Sequence, residues 1–296
     1  MSADWRADVR SMADTLNDAR AVAVFGLAGI SLEDQHRAFA LIRKLGAYVS
    51  VERPLLPTLT FGSLSQHKLI LTAGGEPDVP LPAGAETARD DRLASSEAWR
   101  CLRVLRRGRT AYGAEAYAPL HEKITAAGGA ALLLCGNRVP DELRTELTAY
   151  RAECGLPLGL DLIQISTMPN LLGAYETALE EAGGAHASFA GGEAKADAAF
   201  ALGGLLRQRA VGAALLIGEC VSGAGETLDA GVPLYSLGRE TPGARIFAAA
   251  ARFGPEDGGT ALRCDGMPVS VVPARESGLP RLCALLDALT AEVGVC

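Results

Sequence analysis

Uninterrupted apolar stretches alternate along the chain with stretches in which apolar residues recur every three or four positions. The uninterrupted stretches have the length and composition of strands buried on both faces of a parallel sheet. They predict strands at residues 21–26, 47–52, 130–135, 210–218 and 232–237. The periodic stretches between them predict helices, so the fold class expected is α/β, with Rossmann-like, doubly wound, mostly parallel sheets.

The first strand, helix and second strand form a predicted βαβ unit. Ser31 is expected to cap the helix, and Glu33 and Asp34 follow in its first turn, where acidic side chains suit the helix dipole. The helix should end at Leu45, because Gly46 follows. The turn after the first strand lacks the glycine pattern of a phosphate-binding loop, which argues against a nucleotide site there.

Further elements are predicted from periodicity and from Gly and Pro positions. A glycine-rich segment at 183–193 is predicted to be a mobile loop. A short strand is expected at 161–165. Helices are expected up to about residue 19 and at about 85–107, 120–127, 140–153, 225–230 and 279–293.

The chain also contains a β-hairpin pattern near its end. Thr260–Cys264 and Val269–Val272 are the predicted strands, and Asp265-Gly266 lies between them. Asp-Gly favours a two-residue turn with positive φ. Gly258-Gly259 permits a sharp bend just ahead of the hairpin.

Composition narrows the class of protein. The 296 residues carry a net charge of −7 without a dense Lys/Arg stripe, which argues against a nucleic-acid partner. The most basic run, Arg100–Arg109, is interpreted as the solvated face of a helix. The N-terminus has no apolar core of a signal peptide, and the longest apolar run, Ala21–Leu32, is too short to span a bilayer. We therefore expect a cytoplasmic protein without membrane contact.

The residue types that usually carry chemistry are few and scattered. No cysteine pair has Cys-x-x-Cys spacing, and no histidine has a second ligand at metal-binding spacing. We expect the cysteines to be small buried hydrophobes and assign none of the histidines a catalytic role. The cysteines are Cys101, Cys135, Cys154, Cys220, Cys264, Cys283 and Cys296. The histidines are His36, His67, His121 and His186.

Three other segments could suggest a site. Ser222 lacks the glycine two positions before it that a nucleophile elbow needs, and we expect it to cap a helix. Cys135–Arg138 follows a strand, where α/β proteins bind ligands, but a plain turn explains it. Arg263 and Asp265 could suggest an ion pair at an active site, but the predicted hairpin requires no catalytic role for either residue.

The hairpin pattern resembles the closing segment of the molybdopterin oxidoreductase superfamily, and most closely that of the tungsten subunit of formylmethanofuran dehydrogenase. The residues that match are Glu256, Gly259, Thr260, Arg263, Asp265, Gly266 and Pro268. The resemblance extends to the first α/β unit with Glu33-x-Gln35, to Leu59–Leu64 with the strand 68–74, and to Asn170-x-x-Gly173-Ala174.

The resemblance implies two α/β domains. Residues 1–55 and 170–296 would form a discontinuous domain, and residues 56–169 would be inserted in it. Catalytic members of the family carry a metal-ligating cysteine or selenocysteine and a histidine in the segment that here reads Val51–Thr58, which has neither. The cluster-binding cysteines of the family are absent too. The expected assignment is therefore no catalytic, cofactor-binding or metal-binding residue and no cofactor.

This profile is similar to that of one subunit of the bacterial formyltransferase/hydrolase complex, a short relative of the tungsten subunit that lacks the cluster and the active-site cysteine. The similarity implies a non-catalytic structural subunit in one-carbon metabolism. Its partners would be a formyltransferase subunit, an amidohydrolase subunit and a repeat-built, carrier-binding subunit, which together convert formyl-tetrahydromethanopterin to formate through a methanofuran-type carrier.

Two other functions remain open at this point. The chain could be a molybdopterin- or tungstopterin-dependent oxidoreductase subunit without a protein ligand to the metal. It could also be a small-ligand module that reuses the pterin cleft, with Arg53, Lys68 and Arg138 as candidate binding residues.

Overall fold

The computed structural model describes residues 4–294. Within them the chain forms two compact units. The first unit comprises residues 4–52, 168–263 and 268–294, and the second comprises residues 53–167 and 264–267.

The two units contain helices and strands in alternation. The strands are β1 (Val22–Phe25), β2 (Tyr48–Ser50), β3 (Leu69–Ala73), β4 (Glu86–Arg89), β5 (Gly129–Cys135), β6 (Gly159–Ile165), β7 (His186–Ser188), β8 (Lys195–Ala196), β9 (Ala213–Gly218), β10 (Leu234–Gly238), β11 (Ile246–Ala249), β12 (Gly259–Leu262) and β13 (Pro268–Val271). The helices are α1 (Trp5–Asp18), α2 (Leu32–Lys44), α3 (Ser96–Arg106), α4 (Ala118–Ala127), α5 (Asp141–Glu153), α6 (Leu171–Ala182), α7 (Leu202–Arg207), α8 (Val221–Asp229) and α9 (Leu282–Glu292).

The first unit is built on one sheet in the order β11-β10-β9-β1-β2-β7-β8. The strands from β11 to β2 are parallel, whereas β7 and β8 pair antiparallel at one end. Successive residues of β1 alternate between two buried layers. Val22 and Val24 belong to a core with α1, α2, α6 and α9, and Ala23 and Phe25 belong to a core with α7 and α8. Helices therefore cover both faces, which confirms the predicted doubly wound α/β fold.

Helix α2 begins as the sequence predicts. The Ser31 side chain accepts a hydrogen bond from the Asp34 amide at 3.1 Å. Glu33 and Asp34 lie in the first turn, and Arg43 and Lys44 lie in the last. The charges at both ends are thus opposite in sign to the ends of the helix dipole.

The second unit is built on a four-stranded, fully parallel sheet in the order β4-β3-β5-β6. Helices α3, α4 and α5 pack on one face, where Trp99 and Tyr150 stack edge to face with ring centroids 5.2 Å apart. Loops and turns cover the other face, through side chains such as Leu59, Leu64 and Leu81.

Two predicted segments have a different secondary structure from the one expected. The predicted helix at 85–107 contains strand β4 at its start, and α3 begins only at Ser96. β4 is a polar edge strand, so it lacks the apolar run by which the other strands are recognised. The predicted loop at 183–193 contains β7, which pairs with β2.

The predicted hairpin is present, with slightly shifted ends. β12 and β13 pair antiparallel, with Thr260 opposite Ser270 and Ala261 opposite Val269. The predicted two-residue turn is wrong, because five residues, 263–267, connect β12 to β13; among them Gly266 has φ +83°.

Candidate functional site

The order of strands in the first unit marks one position where α/β proteins usually bind ligands. From β1 the chain passes to β2 on one side, whereas β9 and β10 lie on the other side of β1. Such a reversal of strand order opens a crevice at the carboxyl ends of the strands. The candidate site is therefore the space beyond Phe25 and Gly218, which end β1 and β9.

Close contacts between main chains largely fill this crevice. Gly26 has φ +94°, and a Cβ there would lie 2.7 Å from the carbonyl oxygen of Ile217. Gly218 has φ +85°, and its Cβ would lie 3.2 Å from the Gly26 oxygen. The cavity that remains has a volume of about 50 Å³. Pockets for cofactors and drug-sized ligands are typically about 300–1,000 Å³.

The charged residues that line this cavity are all acidic. They are Glu52, Glu219 and Glu226. Glu219 also forms ion pairs with Arg239 and with Arg252, the latter at 3.6 Å. Carboxylates at the end of a parallel sheet repel phosphate groups. A pterin cofactor with a phosphate or pyrophosphate group does not fit this lining or this volume.

The same cavity contains a cysteine at the start of α8. Burial raises the pKa of the Cys220 thiol, the Gly223 amide and Ser222 hydroxyl lower it, and Glu52 and Glu226 raise it. The net shift is upward, so the thiol is neutral at pH 7 and is a weak nucleophile and metal ligand. Its sulfur lies 3.8 Å from the Ser222 hydroxyl.

The predicted role of Ser222 is wrong. Helix α8 begins at Val221, and Cys220 occupies the N-cap position without a side-chain capping bond. Ser222 thus lies inside the first turn. The helix starts four residues earlier than the sequence pattern indicates, because Gly223 and Gly225 weaken the helical signal.

In the second unit, the segment Cys135–Arg138 after β5 is a turn held by its own side chain. The Asn137 carbonyl oxygen accepts from the Thr167 amide and the Ser166 hydroxyl, both at 2.8 Å, and its amide group donates to the Thr167 hydroxyl. The interpretation as a plain turn fits this geometry.

The candidate binding residues of the second unit do not form one cluster. Lys68 precedes β3, whereas Arg138 follows β5, and these two strands are parallel neighbours. The two side chains therefore start from opposite ends of the parallel strands, Lys68 from the amino end and Arg138 from the carboxyl end. Arg53 lies 4.0 Å from Asp141.

The second unit contains one buried histidine, His67, and one half-buried histidine, His121. The His67 side chain is 2% exposed, and its Nε2 lies 2.9 Å from Asp161 Oδ2. The same carboxylate accepts from the Thr58 hydroxyl at 2.7 Å. His121 lies in α4, where burial and the nearby Arg106 charge lower its pKa.

The other two histidines form polar contacts in the first unit, an exposed one for His36 and a half-buried one for His186. His36 lies 2.7 Å from Glu181, which also binds Arg43. His186 Nδ1 lies 3.1 Å from the Ser50 hydroxyl. Within residues 4–294, no group of three or more His, Cys, Asp or Glu side chains is arranged to bind a metal ion.

No cysteine within the described residues forms a disulfide bond. Cys101, Cys154 and Cys220 are buried, which confirms their prediction as small buried hydrophobes. Cys135, Cys264 and Cys283 are only partly buried, and Cys296 lies outside the described residues.

The motif residues of the hairpin have structural contacts. Thr260 donates its amide to Glu33 at 3.0 Å and its hydroxyl at 2.7 Å. Burial of Glu33 raises its pKa, but these bonds outweigh burial and lower it overall. Glu256 accepts from the Arg252 amide. In the second unit, buried Asp265 accepts from the Phe61 amide at 2.8 Å.

The Asn-x-x-Gly motif has a geometric cause. Asn170 is fully buried, donates to the Ile30 carbonyl and accepts from the Leu262 amide, both at 2.8 Å. A Cβ on Gly173 would lie 2.1 Å from the Asn170 side-chain oxygen, so only glycine fits. The motif thus joins the turn before α2, helix α6 and the hairpin, a role that local sequence patterns do not reveal.

The sequence matches no protein-family model and no curated protein. Among solved structures, it is similar to a chain of the formyltransferase/hydrolase complex (FhcABCD) from Methylorubrum extorquens, crystallised in complex with methylofuran. The TM-score is 0.71, and the match covers 98% of this chain and 96% of that chain at 14% sequence identity. At this identity the similarity establishes the fold.

The structure also bears on the membrane prediction. No helix in residues 4–294 combines the length and apolar composition needed to cross a bilayer.

Proposed function

We propose that this chain is a non-catalytic structural subunit of a formyltransferase/hydrolase complex in one-carbon metabolism. It would correspond to the subunit of that complex that is a short relative of the tungsten subunit of formylmethanofuran dehydrogenase. The observation that carries the proposal is the fold similarity to a chain of such a complex. It covers 98% of this chain and 96% of the other, so the two chains match over nearly their whole length.

The chemistry of the first unit supports a non-catalytic role. The crevice at the switch point has about 50 Å³ of space and only acidic charges, and its cysteine has a raised pKa. The segment Val51–Thr58 offers neither cysteine nor histidine to a metal. The residues present thus do not fit a metal–pterin centre, and the similarity to the tungsten subunit of formylmethanofuran dehydrogenase is proposed for the fold and not for its redox chemistry.

The proposed partners follow from the resemblance in sequence pattern. They are a formyltransferase subunit, an amidohydrolase subunit and a repeat-built subunit that holds the carrier, and we propose that the complex works in the cytoplasm. The domain boundaries, 1–55 with 170–296 and 56–169, stay a prediction, since they concern independent folding.

The rival functions have less support. An oxidoreductase subunit would need room and positive charge for an anionic pterin, and the crevice offers neither. A ligand module based on Arg53, Lys68 and Arg138 would need these side chains to converge. Lys68 and Arg138 do not, because they lie at opposite ends of two parallel neighbouring strands.

Native mass spectrometry of the complex purified from its own host through a tag on this chain tests the proposal. We expect a heavy species that contains the formyltransferase and hydrolase subunits, with no pterin mass on this chain. A lone chain or homodimer that carries pterin and metal would overturn the proposal and support the oxidoreductase.

A further inference from the structure

The hairpin of β12 and β13 has two edges that differ in their hydrogen bonding. On β12, the amides of Thr260 and Leu262 point away from β13, since they donate to Glu33 at 3.0 Å and to Asn170 at 2.8 Å. Side chains of the first unit thus satisfy this edge, and no further strand can be added there.

The edge of β13 is open. Thr260 lies opposite Ser270, and because the Thr260 amide points outward, antiparallel geometry directs the Ser270 amide and carbonyl outward as well. Outside the ladder with β12, no hydrogen bond within residues 4–294 involves the main chain of Ser270 or Val272. Val272 is 80% exposed. An unpaired edge of this kind is a template for another strand.

The sequence of this edge is symmetric about Ser270. Val269 and Val271 flank it, and residues 266–274 carry no charged side chain. An antiparallel copy centred on Ser270 would place Val269 opposite Val271 of the other copy, without opposing like charges. The outward donor and acceptor of Ser270 would bond to the same groups of its counterpart.

We propose that two copies of this chain pair through β13, antiparallel and centred on Ser270. The two hairpins then form one four-stranded sheet, which is more stable than an isolated two-stranded hairpin. The Val272 amide of each copy donates to the Pro268 carbonyl of the other. The pairing is isologous, so each copy uses the same residues.

The same geometry limits the assembly to two copies. Pairing consumes both open edges, and the β12 edges are already satisfied by Glu33 and Asn170. Pro268 and Pro273 limit the paired segment to about five residues, since proline has no amide to donate. The arrangement is therefore a closed dimer and not a fibre, and it does not depend on the proposed function.

Introducing a charge at Ser270 tests the proposal in the full chain. Ser270→Lys and Ser270→Glu each place two like charges opposite each other at the centre of the pairing, whereas Ser270→Thr keeps the strand uncharged. Sedimentation velocity and light scattering measure the mass. We expect the wild type and Ser270→Thr at twice the monomer mass of 30.7 kDa, and each charged variant alone at 30.7 kDa.

An equimolar mixture of the Lys and Glu variants should restore the dimer, because the opposed charges then attract. Circular dichroism checks that each variant is folded. Ser270→Pro is a second probe, because it removes the outward amide without adding a charge and should also give the monomer mass. A monomeric wild type, charged variants that remain dimeric, or a mixture that stays monomeric would overturn the proposal.

Discussion

The side-chain oxygen of Asn170 accepts a hydrogen bond of 2.8 Å from the Leu262 amide, 92 positions later in the chain. The Asn170 amide group donates to the Ile30 carbonyl at 2.8 Å, and its backbone amide donates to the Ala28 carbonyl at 3.0 Å. One buried side chain thus joins the turn before α2 to the hairpin strand β12.

Replacing Asn170 by alanine should destabilise the protein. The variant would leave the Leu262 amide without its partner and the Ile30 carbonyl with only its longer bond, 3.4 Å from Gln35. We expect a cost of roughly 2–4 kcal/mol in free energy of unfolding. Urea unfolding measures the change. Asn17→Ala is the matched control, because Asn17 accepts a similar bond of 2.9 Å from the Gly294 amide at an exposed position. Equal losses in both variants would contradict the role assigned to Asn170.

Replacing two helical glycines, Gly173 and Gly225, by alanine should change the stability of the protein in opposite directions. A Cβ on Gly173 in α6 would lie 2.1 Å from Asn170 and 2.8 Å from Leu32, so Gly173→Ala should cost roughly 1–3 kcal/mol. Gly225 in α8 has no atom within 4 Å of the added Cβ, and alanine there should stabilise the helix by up to about 1 kcal/mol. Thermal unfolding of both variants measures the difference, and a stabilised Gly173→Ala would disprove the close contact.

Stability should also depend on pH through Asp34. Burial raises its pKa above the ordinary 3.8, Ser31 lowers it, and the Asp257 charge raises it further. A raised pKa means that the folded state holds its proton more tightly than the unfolded state does. The contribution of Asp34 is therefore fully present below pH 3.8 and is lost as the pH rises through the raised value.

Asp34→Asn removes this dependence, because asparagine stays neutral. We expect the variant to unfold at a higher temperature than the wild type at pH 7, with a difference that shrinks towards pH 4. Melting curves across this range measure it. A variant less stable than the wild type at pH 7 would show that the Asp34 charge, with Arg37 at 3.6 Å, is net stabilising.

The sequence predicts those parts of the fold that depend on local patterns. The apolar run of β1 and the Ser31 cap are read from neighbouring residues, and the structure confirms them. Strand β4 could not be found this way. Its residues Glu86–Arg89 are polar, and only pairing with β3 makes them a strand.

The candidate site depends on contacts between distant segments, which explains what the sequence could not predict. Gly26 and Gly218 are recognisable as glycines at strand ends, but their close approach at the crevice follows from the order of the strands. Similarly, the bond between Asn170 and Leu262 requires α6 and β12 to be neighbours. The motif match identifies Asn170 without giving its contacts.

Replacing His67 should separate a structural role from a catalytic one. His67 is buried and bound to Asp161 at 2.9 Å, so His67→Ala should cost roughly 1–3 kcal/mol in free energy of unfolding. His36→Ala is the control, because His36 forms an exposed pair with Glu181, where the loss should stay below about 1 kcal/mol.

Both histidine variants should leave formate production per assembled complex nearly unchanged, since the proposed function assigns this chain no reacting group. The assay compares formate release with the amount of intact complex determined by native mass spectrometry. The same result is expected for Cys220→Ala, which removes the thiol at the crevice. A large loss of turnover in any of these variants, with the complex still assembled, would mean that the side chain acts in the reaction and that the subunit is not merely structural.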